Sequence, residues 1–259
     1  FWVGLGVFLG ILSHLSRAYR WKFMIEPMGY NLRLPNSIMA VFTTYLINFT
    51  IPRAGEVSRA TILTNYEGVP FEKGFGTIIA ERVADLGVML CIISITLVLE
   101  FDIIYDFLLT NIDPMQLILL GLAALAILVI GYQLFKKSNH LFALKIKILF
   151  LGLIEGISSI LKMKKKRAFL AHTLFIWIMY VSMFYVTSFS LTETSQLPFS
   201  AILLGFISAS FSIAATNGGI GSYPLAIFAA FSIFNIPEDP SIAFGWIMWT
   251  SQTLMIILL

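Results

Sequence analysis

The sequence predicts an all-α fold: a polytopic integral membrane helical bundle with two interrupted, re-entrant helix hairpins arranged as a weak inverted repeat. Three observations predict it. The 259 residues are 58% hydrophobic and 12% charged, with a mean hydropathy of +0.89, whereas soluble domains carry about 25% charged residues. Several stretches reach the ~20 apolar residues that cross a ~30 Å hydrocarbon layer. Two pairs of shorter apolar arms are broken by Pro or Gly. A soluble enzyme, a disordered tail and a sizeable water-soluble domain are thereby excluded. A pI near 9.0 suggests nucleic acid when taken alone, but the charges are distributed otherwise. Nine of the 17 basic residues fall between Lys136 and Arg167, four between Arg17 and Arg33, and none after Arg167. Such bias orients a membrane protein by the positive-inside rule and predicts no nucleic-acid partner.

The first apolar run, Phe1 to Leu15, leads into Arg17, Arg20, Trp21 and Lys22, read as interface anchors at the cytosolic headgroup layer. Ile38 to Ile51 is apolar but short and ends at Pro52. Thr77 to Leu99 is a full-length span. The next loop carries Glu100, Asp102, Asp106 and Asp113 with no Lys or Arg, so it reads as external. Met115 to Phe135 returns inward. Leu141 to Leu161 is interrupted by Lys145, Lys147 and Glu155, so 141–167 reads as a cytosolic interfacial basic helix. Phe169 to Leu191 crosses outward, 200–234 forms two apolar arms around a Gly-rich break, and Ser241 to Leu259 is the last span. The chain opens and closes inside hydrophobic stretches, as part of a longer protein would, and 1–259 reads as one transmembrane domain.

The basic loop after the first helix and the loop before Thr77 must both be cytosolic if 100–113 is external. One crossing between them cannot satisfy this; a re-entrant hairpin over 36–66, turning at Pro52 to Gly55, can. The 200–234 segment reads as a second broken-helix hairpin whose arms could also span separately. Paired interrupted helices in the two halves of a chain point to a transporter site.

The densest polar constellation is Asn48, Pro52, Arg53, Gly55, Glu56 and Arg59, followed by Glu81, Arg82 and Asp85. Arg53, Glu56 and Arg59 recur every three residues and would share a helical stripe. Glu81 and Asp85 would share another, with Arg82 in reach of Asp85, so that these six charges cancel. Ionisable groups at membrane depth are costly and read as functional by default. Arg forks suit bidentate phosphate binding, and the helix end opened at Pro52 to Gly55 would offer unpaired backbone groups. The competing reading is that the charges snorkel at the interface and only support loop packing. The second break, Asn217, Gly218, Gly219, Ile220, Gly221 and Pro224, would either line a polar path or serve close helix packing. It is not a dinucleotide fingerprint, having no βαβ unit around it. His14, His140 and His172 lack metal-ligand spacing. Cys91 is the single cysteine, so no disulfide framework exists. No catalytic nucleophile, metal or cofactor is predicted.

Taken in order, Arg17-x-x-Arg20-Trp21, Asn48-x3-Pro52-Arg53-x-Gly55-Glu56-x2-Arg59, Glu81-Arg82-x2-Asp85 and Gly218-Gly219-Ile220-Gly221 resemble the lysylphosphatidylglycerol synthase transmembrane, flippase-like family, the membrane half of bacterial multiple peptide resistance factor. The resemblance covers almost the whole chain. It implies an inner-membrane protein that moves a phospholipid or lipid-linked anionic substrate between leaflets, not an enzyme in its own right. Its implied partners are membrane lipids, with a separately encoded synthase or a homodimer as further candidates. No synthase domain lies within these 259 residues, so the resemblance does not imply aminoacyl-lipid synthesis by them, and Ala215-Thr216-Asn217 stands where many relatives carry proline. The rivals are an integral-membrane transferase acting on a lipid phosphate and a non-transporting scaffold.

Overall fold

The computed structural model describes residues 1–51, 54–103 and 163–259, with scattered positions between 105 and 130. Pro52, Arg53, the loop residues Asp106 and Asp113, much of the expected 115–135 span and most of the expected 141–167 interfacial helix lie outside the described residues. Eight α-helices are described: α1 Trp2–Ile25, α2 Leu34–Thr50, α3 Ala54–Glu67, α4 Phe71–Leu99, α5 Lys166–Ser188, α6 Phe199–Ala215, α7 Ser222–Ser232 and α8 Glu238–Leu258. No strand occurs among the described residues, as the composition predicts.

Among the described residues three helices, α4, α5 and α8, are long and apolar enough to cross a membrane. α1 has the length but carries buried Ser13, His14, Ser16, Arg17 and Arg20 along its second half. It runs antiparallel to α5: Trp2 meets Phe189 at one end, ring centroids 5.1 Å apart, and Ser16 pairs with His172 at 2.8 Å towards the other. The close approach needs small residues, because lipid supplies no hydrophobic drive between helices and packing must. Gly6 lies against Thr187, and a Cβ on Gly10 would stand 3.0 Å from the Met183 sulfur.

α2 and α3 form an antiparallel hairpin. At its open end Asn36 donates to Glu67 Oε1 at 2.6 Å; at its tip the Gly55 N–H donates to Asn48 Oδ1 at 2.8 Å. Gly55 is required there, since a Cβ would run into the Thr44 carbonyl and stand 2.8 Å from Asn48 Oδ1. α6 and α7 form the second hairpin, joined by the break at 216–221. Ser212 and Ser222 hydroxyls meet at 2.8 Å near its tip, and Gly205 faces Phe231 further along. Gly218, Gly219 and Gly221 turn the chain at φ of 67°, 77° and 72°, a region open to glycine at little cost.

The hairpins open at opposite ends of the bundle. The first opens where α1 ends and α4 and α5 begin. The second opens at the far end, reached through residues 189–198 after α5. Their tips meet. Asn217 Nδ2 donates to the Phe49 carbonyl at 2.9 Å, Gly218 packs on the Phe49 ring, and Trp249 Nε1 of α8 donates to the Gly218 carbonyl at 2.8 Å. Asn217 thereby satisfies one of the four carbonyls that a helix C-terminus leaves open. Two apolar clusters flank this junction, one around Trp21, Leu63 and Phe169, the other around Phe184, Phe206, Phe231 and Phe244.

Candidate functional site

α4 supplies the acids. Glu81 and Asp85 lie one turn apart on a face turned into the bundle, roughly 15 and 21 Å from the start of the helix at 1.5 Å per residue. α1 supplies two arginines on one face. Arg17 Nη1 donates to Glu81 Oε1 at 2.7 Å and to Asp85 Oδ2 at 2.8 Å. Arg20 pairs with Glu81 at 3.0 Å and Asp85 at 2.9 Å. The Thr173 hydroxyl of α5 accepts from Arg20 at 2.7 Å while donating to the Phe169 carbonyl at 2.8 Å. Arg59 of α3 reaches Glu81 Oε2 at 3.2 Å, its guanidinium 3.9 Å above the Trp21 ring. Trp21 is fixed in turn by its indole N–H, which donates to Thr77 at 2.8 Å. Trp177 Nε1 lies 3.4 Å from Asp85 Oδ1.

These five ionised side chains are each at most 9% exposed. Three guanidiniums stand against two carboxylates, a surplus of one positive charge. Arg59 Nη2 is the atom in the ion pair with Glu81, and the Nε atoms of Arg17, Arg20 and Arg59 have no hydrogen-bond partner among the described residues. Buried charges are tolerated only when paired or hydrogen-bonded, a condition that the ion pairs meet for all five.

A second rung joins α3 to α4 one helical turn away with reversed polarity: Arg82 Nη2 to Glu56 Oε1 at 2.8 Å, side chains 45% and 23% exposed. Asn48 Nδ2 lies 3.5 Å from Glu56 Oε2. A polar line therefore runs from Asn217 in the second break, through Phe49 and Asn48, to Glu56, Arg82 and the buried cluster. Among the described residues no group of three or more His, Cys, Asp or Glu is placed to hold a metal ion.

Several expectations meet a different arrangement. Arg17, Arg20 and Trp21 are not headgroup anchors: they are 4%, 0% and 0% exposed, because two carboxylates one turn apart on α4 draw both arginines inward. Arg82 pairs with Glu56 and not with Asp85, whose oxygens α1 already occupies. Arg59 does not snorkel to water; it is 2% exposed. Asn48, Gly55, Glu56, Arg59, Glu81, Arg82 and Asp85 are brought together, and Asn217 and Gly218 join them at the tips. Gly219 and Gly221 shape the break, and Pro224 packs against Gly245 of α8, away from the charges. Arg53 and Pro52 lie outside the described residues.

Thr173, Thr77 and Trp177 were not singled out by the sequence. His14 was noted only for its lack of metal-ligand spacing. It is buried among the rings of Tyr45, Phe42 and Tyr180, with centroids at 4.8, 5.6 and 6.0 Å. A signal for the α1 contribution was present: Arg17 and Arg20, three apart with no acid on their helix, share one helix face, as Glu81 and Asp85, four apart, share theirs.

The fold and site define an all-helical membrane protein in which two broken-helix hairpins converge beside a buried arginine–carboxylate cluster. The chain belongs to the family described as the lysylphosphatidylglycerol synthase TM region, whose profile matches residues 1–259. It is 28% identical over 270 residues to a UPF0104 membrane protein of Methanocaldococcus jannaschii, covering 93% of this chain and 77% of that one. A UPF0104 membrane protein of Methanothermobacter thermautotrophicus is 32% identical over 88 residues, covering 32% of this chain and 25% of the relative. No solved structure matches.

Proposed function

We propose that this protein translocates a phospholipid or lipid-linked anionic substrate between the leaflets of the cytoplasmic membrane, as a transporter and not an enzyme. The family match supports a membrane lipid-related role. The observation that carries the finer reading is the meeting of two oppositely directed helix hairpins beside buried charge. α2, α3, α6 and α7 have 17, 14, 17 and 11 residues, all short of the ~20 that span a bilayer. On this reading both hairpins re-enter the membrane from opposite faces, and their breaks sit near its middle, where transporters built from inverted repeats hold substrate.

In this mechanism the tip contacts Asn217–Phe49 and Trp249–Gly218 close the path, and their separation opens it. Arg59 and Arg82 supply guanidinium forks for a phosphate. Glu56 and Glu81 hold those forks in place while the site is empty. Membrane lipids are the substrates and first partners; a separately encoded synthase or a second copy would act on the same domain.

The test is translocation in proteoliposomes of fluorescent phosphatidylglycerol, its lysyl derivative and a polyprenyl phosphate. Wild type is compared with Glu56→Gln and with a Phe49→Cys/Asn217→Cys pair in a Cys91→Ser background. Exchange of one lipid class is expected, lost on oxidising the cysteine pair and recovered on reduction. Exchange that ignores the cross-link refutes gating at the tips. A modified lipid product without exchange refutes the transporter reading in favour of a transferase.

A further inference from the structure

The break between α6 and α7 gathers oxygen atoms whose protons are already committed. The Ser212 hydroxyl donates to Ser222 Oγ at 2.8 Å, and the Thr216 hydroxyl donates to the Ser212 carbonyl at 2.7 Å. Ser222 Oγ and Thr216 Oγ1 stand 2.9 Å apart. A hydroxyl carries one proton and two lone pairs. Thr216 has given its proton to the carbonyl, so Ser222 donates to Thr216, and all three protons point within the set. Outward the hydroxyls offer lone pairs alone. α6 ends beside them, and a helix C-terminus leaves its last carbonyls open. Among the described residues the carbonyls of Ile213, Ala214 and Ala215 accept no hydrogen bond. At the start of α7 the Tyr223 amide is taken by the Gly219 carbonyl at 2.8 Å, and Pro224 has no amide proton.

Asn217 points to a ligand independently. Its Nδ2 donates to the Phe49 carbonyl at 2.9 Å, which fixes the orientation of the amide. Its Oδ1 is buried and has no hydrogen-bond partner among the described residues. A buried acceptor left open calls for a water or an ion. The second hairpin has no cation of its own to answer these oxygens, since no Lys or Arg follows Arg167 and no His follows His172. Thr216 is exposed, so the set is open on one side.

We infer that the break between α6 and α7 binds a sodium ion, with the hydroxyls of Ser212, Thr216 and Ser222, Asn217 Oδ1 and the open carbonyls of α6 as its ligands. Unwound carbonyls and the C-terminal ends of broken helices hold sodium in membrane transporters. A divalent ion binds more tightly as ligand charge rises, and no Asp or Glu lies between Glu193 and Glu238. Oxygens 2.7–2.9 Å apart form a cage small enough to favour sodium over potassium. The ion ties α6 to α7 and, through Asn217, to Phe49 of the first hairpin. This inference goes beyond the translocation reading and does not rest on it.

The experiment measures binding of radioactive sodium to the full chain in detergent, and thermal unfolding in sodium, potassium or choline chloride at equal ionic strength. Saturable binding of one ion per chain is expected, with a higher melting temperature in sodium than in potassium or choline. Thr216→Val and Ser222→Ala should each weaken binding at least about tenfold, the scale of one interaction with a charged group, while still unfolding cooperatively in choline chloride. Thr216→Ser, which keeps the hydroxyl, should bind as wild type does. The absence of saturable binding overturns the inference, as does binding that potassium matches or that survives Thr216→Val and Ser222→Ala. Sodium binding without lipid exchange in proteoliposomes leaves the inference standing and refutes translocation. Lipid exchange without sodium binding does the reverse.

Discussion

Glu81→Gln is the sharpest probe of the buried cluster, because it keeps the shape of the side chain and removes only its charge. Glu81 faces Arg17, Arg20 and Arg59 at 2.7, 3.0 and 3.2 Å. With it neutral, three guanidiniums face Asp85 alone and the surplus rises from one charge to two. Removing one partner of a buried ion pair costs about 3–5 kcal/mol. For a chain of this size each kcal/mol lowers Tm by about 2–4 °C, so the expected fall is about 6–20 °C. Thermal unfolding in detergent, followed by tryptophan fluorescence, reads it directly. The internal control is Glu81→Gln/Arg59→Gln, which returns the surplus to its original value. That double variant should recover about 1–3 kcal/mol relative to the sum of the single changes, the range seen for coupled neighbours. A Glu81→Gln protein melting within about 2 °C of wild type would refute the argument, as would a double variant showing simple additivity.

Other outcomes follow from the same geometry. Arg82→Gln, at the half-exposed rung, should cost no more than about 1 kcal/mol, so its melting temperature should stay close to wild type while lipid exchange in proteoliposomes falls. Gly55→Ala forces a Cβ into the Thr44 carbonyl and against Asn48; a loss of about 1–3 kcal/mol in the same melting assay is expected. Asn217→Ala removes the donor to the Phe49 carbonyl and should cost about 1 kcal/mol, with faster thiol labelling of Phe49→Cys in a Cys91→Ser background. Outside the membrane, Lys165 donates to Glu26 at 2.8 Å. This hydrogen bond, with the nearby ammonium charge, holds the Glu26 carboxyl below its ordinary range and raises Lys165 above its own. The resulting stabilisation is present above the ordinary glutamate pKa and disappears as pH falls through the depressed value. On the alkaline side it persists below the ordinary lysine pKa and is lost as pH rises through the raised one. Unfolding of wild type and Lys165→Met should therefore differ only between those limits.

Much of this architecture is legible in the chain, for identifiable reasons. A hydrocarbon layer demands long apolar helices, so α4, α5 and α8 stand out from composition alone. The breaks stand out because glycine and proline are local signals that need no knowledge of the rest of the fold. Partner choice is different. Arg17 and Glu81 are 64 residues apart, and nothing local to Arg17 distinguishes a cation entering headgroups from one drawn into the bundle. The pattern of charges around Trp21 therefore read as an anchor, although Arg17 and Arg20 share one helix face just as the two acids of α4 do. Arg82 was placed near Asp85 for the converse reason: neighbours on one helix look like partners until another helix takes the acid. The meeting of Asn217 with Phe49 depends on both hairpin tips arriving at one place, which only three dimensions supply.

The quartet of Arg17, Arg20, Glu81 and Asp85 joins α1 to α4, and Arg20 reaches α5 through Thr173. Two cations and two anions make it electrically complete by itself. Arg59, on the first hairpin, is an addition to a frame that is already balanced. Lifting that hairpin away breaks the two rungs from α3 to α4, Arg59–Glu81 and Glu56–Arg82, without leaving the quartet with an unmatched charge. The quartet therefore stays balanced with or without the hairpin, and the charge that a departing hairpin would leave unpaired on α4 is Arg82, whose side chain is already half-exposed.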